Sequence, residues 1–124
     1  MKTALIIEDC FEIRENLSEI LELAGYNVIA IDNGKEGIST AITKMPDFIL
    51  CDIMMPNVNG YDVMRQVKND PASANIPFIF VTASAEKREM ELALTMGADG
   101  YLRKPFDDKE LFDAIERVCR RGSS

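Results

Sequence analysis

The chain has 124 residues, 47% of them hydrophobic and 28% charged, a balance that suits about one soluble globular domain with room for a core. Twenty-one acidic against 14 basic residues leave a net charge of -7, which argues against a general surface for nucleic acid or anionic membrane. The absence of histidine excludes Ser-His-Asp and Cys-His machinery and any histidine metal ligand, so a general base has to be a carboxylate, a lysine or water.

In chain order, Ala4–Ile7 predicts a strand, and Ile13, Leu17, Ile20, Leu21 and Ala24 line one face of a first helix that Gly25 can end. Val28–Ile31 is the second strand, and Ile38, Ala41, Ile42 and Met45 mark a second helix closed by Pro46. Phe48–Cys51 is the third strand, leading to a helix through Tyr61, Met64 and Val67 that stops near Asn69-Asp70-Pro71. Phe78–Val81 is the fourth strand, with Met90, Ala93 and Leu94 marking a fourth helix and Gly97 its cap. The brief strand Tyr101-Leu102 leads into a fifth helix faced by Leu111, Phe112, Ile115, Val118 and Cys119. Continuous apolarity suits strands covered on both faces, and strict alternation of strand and helix predicts a doubly wound α/β layer with a parallel sheet. Residues 1–121 are expected to form one domain and residues 122–124 a flexible tail or linker stub.

No apolar run approaches the length of a membrane span, and the start turns acidic at Glu8-Asp9 too soon for a signal peptide. Cys10, Cys51 and Cys119 are widely separated and lack metal spacing, which reads as reduced thiols in a cytoplasmic chain. The charge is unevenly spread. Residues 1–62 hold four basic and 11 acidic residues, whereas residues 63–124 hold ten of each.

In an open α/β sheet, ligands sit beyond the carboxyl ends of the strands. Glu8-Asp9 follows the first strand, Asp52 ends the third, Thr82 ends the fourth and Lys104 follows the fifth. Three carboxylates at one edge repel one another unless a cation intervenes, and a hard divalent ion such as Mg²⁺ suits oxygen ligands. Asp52, its backbone held by the sheet, can act as a nucleophile toward phosphorus, with Thr82 and Lys104 serving the phosphoryl oxygens. Each residue also has a plain structural reading: Glu8 and Asp9 as caps of the first helix, Asp52 as a turn residue, Thr82-Ala83-Ser84 as the cap of the fourth helix, Lys104 as a solvated lysine. Their joint placement on one sheet edge favours the chemical reading.

These pieces, Ile7-Glu8-Asp9, Asp52-Ile53-Met54-Met55-Pro56 with Gly60, Val81-Thr82-Ala83 and Lys104-Pro105-Phe106, resemble the receiver domains of two-component response regulators over residues 2–121. The resemblance implies a CheY-like, flavodoxin-like (βα)5 fold with strand order 2-1-3-4-5. It implies Asp52 as phosphoacceptor, supplied by a histidine kinase or histidine phosphotransfer protein. Glu8, Asp9, Asp52 and the backbone carbonyl of Met54 become the Mg²⁺ site, with Asp9 the more direct ligand and Glu8 acting through water. Thr82 and Tyr101 become the switch pair, Lys104 the phosphate-pairing lysine, and the Lys104-Pro105 bond is expected to be cis. Met54 and Ser84, two residues beyond Asp52 and Thr82, match positions where the family tunes its dephosphorylation rate.

The resemblance thus implies a signalling phosphoacceptor with self-catalysed phosphorylation and autodephosphorylation rather than a metabolic enzyme. Its output is expected on the face of the fourth helix, fifth strand and fifth helix, near Arg103, Arg117, Arg120 and Arg121. A downstream protein, a fused output domain or a phosphorylation-dependent homodimer would read it. Nothing resembles a helix-turn-helix, so direct binding to nucleic acid is not expected, nor is binding to a membrane. Two other classes stay open: a Mg²⁺-dependent phosphohydrolase using Asp52, and a protein-binding module that is not phosphorylated. A flavin-phosphate carrier is disfavoured, because Glu8-Asp9 would repel the phosphate where a Gly-rich or hydroxyl loop is needed.

Overall fold

Each apolar run becomes a strand, covered by helices that its flanking segments form. The computed structural model describes residues 1–83 and 86–122, with side chains through Arg120. The elements alternate: β1 (Thr3–Ile7), α1 (Phe11–Leu23), β2 (Asn27–Ile31), α2 (Gly34–Lys44), β3 (Phe48–Asp52), α3 (Gly60–Asn69), β4 (Phe78–Thr82), α4 (Lys87–Thr95), β5 (Gly100–Arg103) and α5 (Asp108–Gly122). All strand pairs are parallel and the order is β2-β1-β3-β4-β5, the expected doubly wound α/β architecture.

Alternate residues of each strand feed two separate cores. Leu5, Ile7, Ile49, Cys51, Phe78 and Phe80 pack with Ala41 of α2, Val63, Met64 and Val67 of α3 and Ala93 of α4. Ala4, Ile6, Phe48, Leu50, Ile79 and Val81 pack with Leu17 and Leu21 of α1 and Leu111, Ile115 and Val118 of α5. β3 and β4 are buried at every position, which is why their sequences are continuously apolar.

Four details differ from the sequence-based expectation. The β2 run looks as buried as the others, yet it is an edge strand with Ala30 exposed and Val28, Ile29 and Ile31 only half-buried. Met45 does not face the core: it leaves α2 as a left-handed cap at φ 50° and is 53% exposed. Ala24 is likewise the exposed cap of α1, and in α4 only Ala93 is buried while Met90 and Leu94 stay exposed. Ser84 and the Ser123-Ser124 end of the expected tail lie outside the described residues, as does the side chain of Arg121.

Side chains cap three helices. Asn33 accepts from the Glu36 amide, Asn59 and Asp62 form a reciprocal capping box, and Asp107 and Glu110 do the same at α5. Gly25 (φ 97°) and Gly97 (φ 118°) follow α1 and α4 in conformations open chiefly to glycine. No helix among the described residues is long and apolar enough to cross a membrane.

Gly60 sets how closely α3 approaches the end of β3. A Cβ there would lie 2.4 Å from the Asp52 carbonyl oxygen and 2.7 Å from the Ile53 Cα, so α3 can start directly beneath the end of β3 only on glycine. Its amide also donates to the Ile53 carbonyl at 2.9 Å. Gly60→Ala is expected to lower the unfolding free energy by about 2 kcal/mol, the usual cost of forcing a methyl into a packed site. Urea titration checks this, and an unchanged midpoint would contradict the contact.

Candidate functional site

The register places the site. Ile7 pairs with Cys51, so the next residues along, Glu8 and Asp52, leave the sheet side by side and on the same face. Asp52 pairs with Val81, and Thr82 with Arg103, which puts Thr82 and Lys104 one step beyond on the same rim. Two backbone bonds extend the ladders: the Glu8 amide donates to the Ile31 carbonyl at 3.0 Å and the Lys104 amide to the Thr82 carbonyl at 2.7 Å. The side chains therefore depart from positions that the sheet has already fixed.

Lys104 closes the site. Its Nζ donates to Glu8 Oε1 at 2.8 Å and lies 3.4 Å from Asp52 Oδ1, although 96 and 52 residues separate it from them in the chain. Glu8 and Asp52 are almost fully buried, Asp9 is exposed, and carboxylate oxygens of all three lie within 4.8 Å of one another. The other Glu8 oxygen, Oε2, accepts from the Cys10 amide at 3.3 Å. The Lys104-Pro105 bond is cis, as expected.

Burial pushes the Glu8 carboxyl pKa up and the negative charge of Asp52 adds to this, with the Lys104 bond pulling the other way. Asp52 is also raised, first by burial and further by Asp9, against the lowering pull of Lys104 and of a hydrogen bond with Glu8. For Lys104 burial pushes downward, but the combined hold of Glu8 and Asp52 wins and raises its pKa. One ammonium cannot compensate three carboxylates. The arrangement thus favours a further cation, and Glu8, Asp9 and Asp52 can together hold a divalent metal.

The plain structural roles do not account for these residues. The N-cap of α1 is Cys10, with no side-chain capping bond, so Asp9 is not the cap. The N-cap of α4 is Glu86, not Thr82, and Thr82 is buried at the end of β4. Lys104 is no freely solvated lysine, its side chain being 17% exposed. The Met54 side chain is 78% exposed, so it adds nothing to the core. Tyr101 is half-buried on β5 and packs against the core that holds Phe80, its register partner.

Two contacts lie beyond the reach of sequence patterns. Arg14 reaches back from the first turn of α1, its Nη1 donating to the Glu8 carbonyl at 2.8 Å and lying 3.5 Å from the Asp9 carbonyl. The Cys51 thiol donates to the Asp52 carbonyl at 3.3 Å, and burial raises its pKa well above the ordinary thiol value. Neither carries a spacing signal, because both depend on how the chain turns beyond β1 and β3.

Comparison with known proteins fits this geometry. Residues 4–116 match the response regulator receiver domain family. The chain is 37% identical over 120 residues to the phosphate regulon transcriptional regulatory protein PhoB of Pseudomonas aeruginosa, covering 97% of this chain and 52% of that protein. It spans about half the length of the curated relatives it matches. Among solved structures, a response regulator from Chloroflexus aurantiacus superposes with a TM-score of 0.91 at 29% identity, covering 97% of this chain and 98% of that one. The receiver domain of a Pseudomonas aeruginosa sensor histidine kinase, solved with a magnesium ion coordinated in its active-site cleft, gives 0.88 at 28% identity over 96% and 98% of the two chains. This chain belongs to the CheY-like response regulator receiver domains, the phosphoacceptor modules of two-component signalling.

Proposed function

We propose that Asp52 accepts a phosphoryl group from a phosphohistidine on a histidine kinase or histidine phosphotransfer protein, in a Mg²⁺-dependent reaction read out on the face of α4, β5 and α5. The observation that carries this reading is the Lys104 ammonium bonded to both Glu8 and Asp52, with Asp9 beside them. The donor set is all hard oxygen, which fits Mg²⁺. One oxygen of Glu8 is held by Lys104 and the other by the Cys10 amide, which favours Asp9 and Asp52 as direct ligands and Glu8 acting through water. The Met54 carbonyl adds a neutral oxygen to the set. When bound, the ion supplies the charge that lets an anionic phosphoryl group approach three carboxylates.

An Asp52 carboxylate oxygen attacks phosphorus. The new P–O bond forms as the donor's P–N bond breaks, and the electron pair leaves with the imidazole. Lys104 pairs one phosphoryl oxygen and the Thr82 hydroxyl donates to another. Thr82 and Tyr101 have the same parity on neighbouring strands, since Phe80 pairs with Tyr101 and Thr82 with Arg103. Drawing Thr82 toward the phosphoryl group frees space on that face for Tyr101 to move inward. A cleft of about 330 Å³ beside Tyr101, lined by Met90, Arg103, Glu110, Asp113 and Arg117, changes shape with it. The reader of that face is a downstream protein, a fused output domain or a second copy in a phosphorylation-dependent dimer.

Incubation with acetyl phosphate and Mg²⁺, followed by intact-mass spectrometry, is expected to show one added phosphoryl group that Asp52→Asn abolishes; full labelling of that variant would identify another acceptor. Lys104→Ala is expected to slow labelling about a hundredfold, the usual effect of losing one stabilising donor. A time course of labelling measures this, and an unchanged rate would remove Lys104 from the reaction. The raised carboxyl pKa values also set a pH dependence. The fold favours the neutral acids, so this stabilisation is full below about pH 4, the ordinary carboxylate value, and is lost as pH rises through the raised values. Without divalent ions at pH 7, Asp52→Asn is therefore expected to melt higher than the wild type, by about 4 °C per kcal/mol of relieved strain, and to lose most of the Mg²⁺-induced rise in Tm. Thermal melts in chelator and in Mg²⁺ test both statements.

A further inference from the structure

The acidic turn after β1 has to aim the Asp9 carboxylate although Asp9 itself is exposed. Its backbone is held from both sides. The Glu8 amide is tied to the Ile31 carbonyl of β2, while the Glu8 and Asp9 carbonyls face the Arg14 guanidinium at 2.8 and 3.5 Å. Arg14 is half-buried, and its guanidinium carbon sits 5.5 Å from the Phe11 ring centroid, a cation–π distance that restrains the guanidinium from the solvent side. One guanidinium nitrogen, Nη1, thus faces the two successive carbonyls of the residues that bear both acidic side chains.

We infer that Arg14 is a positioning residue for the cation site, fixing the Glu8-Asp9 turn through its two carbonyls so that the carboxylates converge with Asp52. This rests on the Mg²⁺ reading above but adds a residue that touches neither the ion nor the phosphoryl group. Groups that orient metal ligands from behind commonly change metal affinity by a factor of about ten or more when removed. The sign of the change separates this role from a purely electrostatic one. A guanidinium near the site repels a divalent cation, so deleting it for charge reasons alone would tighten binding. Deleting it as a positioning group loosens binding.

The test is calorimetric titration of the full chain with MgCl₂, for wild type, Arg14→Ala and Arg14→Lys, with thermal melts to establish that each variant is folded. Arg14→Ala is expected to bind Mg²⁺ about tenfold more weakly. Arg14→Lys, which keeps the charge but exchanges the planar guanidinium against Phe11 for a more mobile ammonium, is expected to fall between it and the wild type. Affinity equal to or tighter than wild type in either folded variant overturns the inference, and Arg14→Lys alone decides the matter if Arg14→Ala does not fold. A wild-type chain that binds no Mg²⁺ removes the proposed metal site itself, an outcome distinct from normal wild-type binding with unaffected variants.

Discussion

A single ammonium placed between buried carboxylates organises this molecule. Glu8 and Asp52 cost free energy to bury as ions, and the Lys104 Nζ at 2.8 and 3.4 Å offsets part of that cost without removing it. The raised pKa values of both acids show that the offset is incomplete, and the raised value of the lysine shows that the carboxylates still hold it charged. The cluster therefore rests in an undercompensated state. Such a site can hold added positive charge, and its carboxylates oppose added negative charge.

The sheet makes that geometry attainable. In the order β2-β1-β3-β4-β5, Glu8 and Asp52 leave adjacent strands, whereas Lys104 leaves β5, two strands from β3. At about 4.8 Å per strand this separation is roughly 10 Å, a span that needs a long side chain starting from a fixed backbone position. The Lys104 amide bonded to the Thr82 carbonyl supplies the fixed start, and the lysine stem supplies the reach. Gly60 works to the same end below the site, letting α3 begin against the Asp52 carbonyl without displacing it.

Much of this is legible in the sequence because burial on two faces leaves a pattern. β1, β3 and β4 show as continuous apolar runs, and the residue ending each run or next after it lies on the rim. The failures share a cause. Val28–Ile31 reads like a central strand, but edge position is decided by strand order, which no local window contains. Met45 continues the helical period of α2 while the backbone has already turned left-handed ahead of Pro46. Met90 and Leu94 suggest a wider apolar face for α4 than the structure uses, since Ala93 alone makes the buried contact. Arg14 is invisible for a related reason: its partners are backbone carbonyls, which carry no side-chain signature in a sequence.

Strand alternation also fixes the direction in which a change at the rim can travel. By the parity of β1 and β3, Glu8 and Asp52 belong to the face covered by α1 and α5, since Ala4, Ile6, Phe48 and Leu50 pack there. By the parity of β4, Thr82 belongs with Phe78 and Phe80 to the opposite face, where Tyr101 and Ala93 lie. On the proposed function, a phosphoryl group on Asp52 would act across the edge of the sheet, from the side of one core to that of the other, with Thr82 at the corner. The two packed layers need not deform along their length for this to happen. The proposed switch needs only a hydroxyl at the rim and an aromatic ring two residues back along the neighbouring strand, on the face where Ala93 is the buried residue of α4.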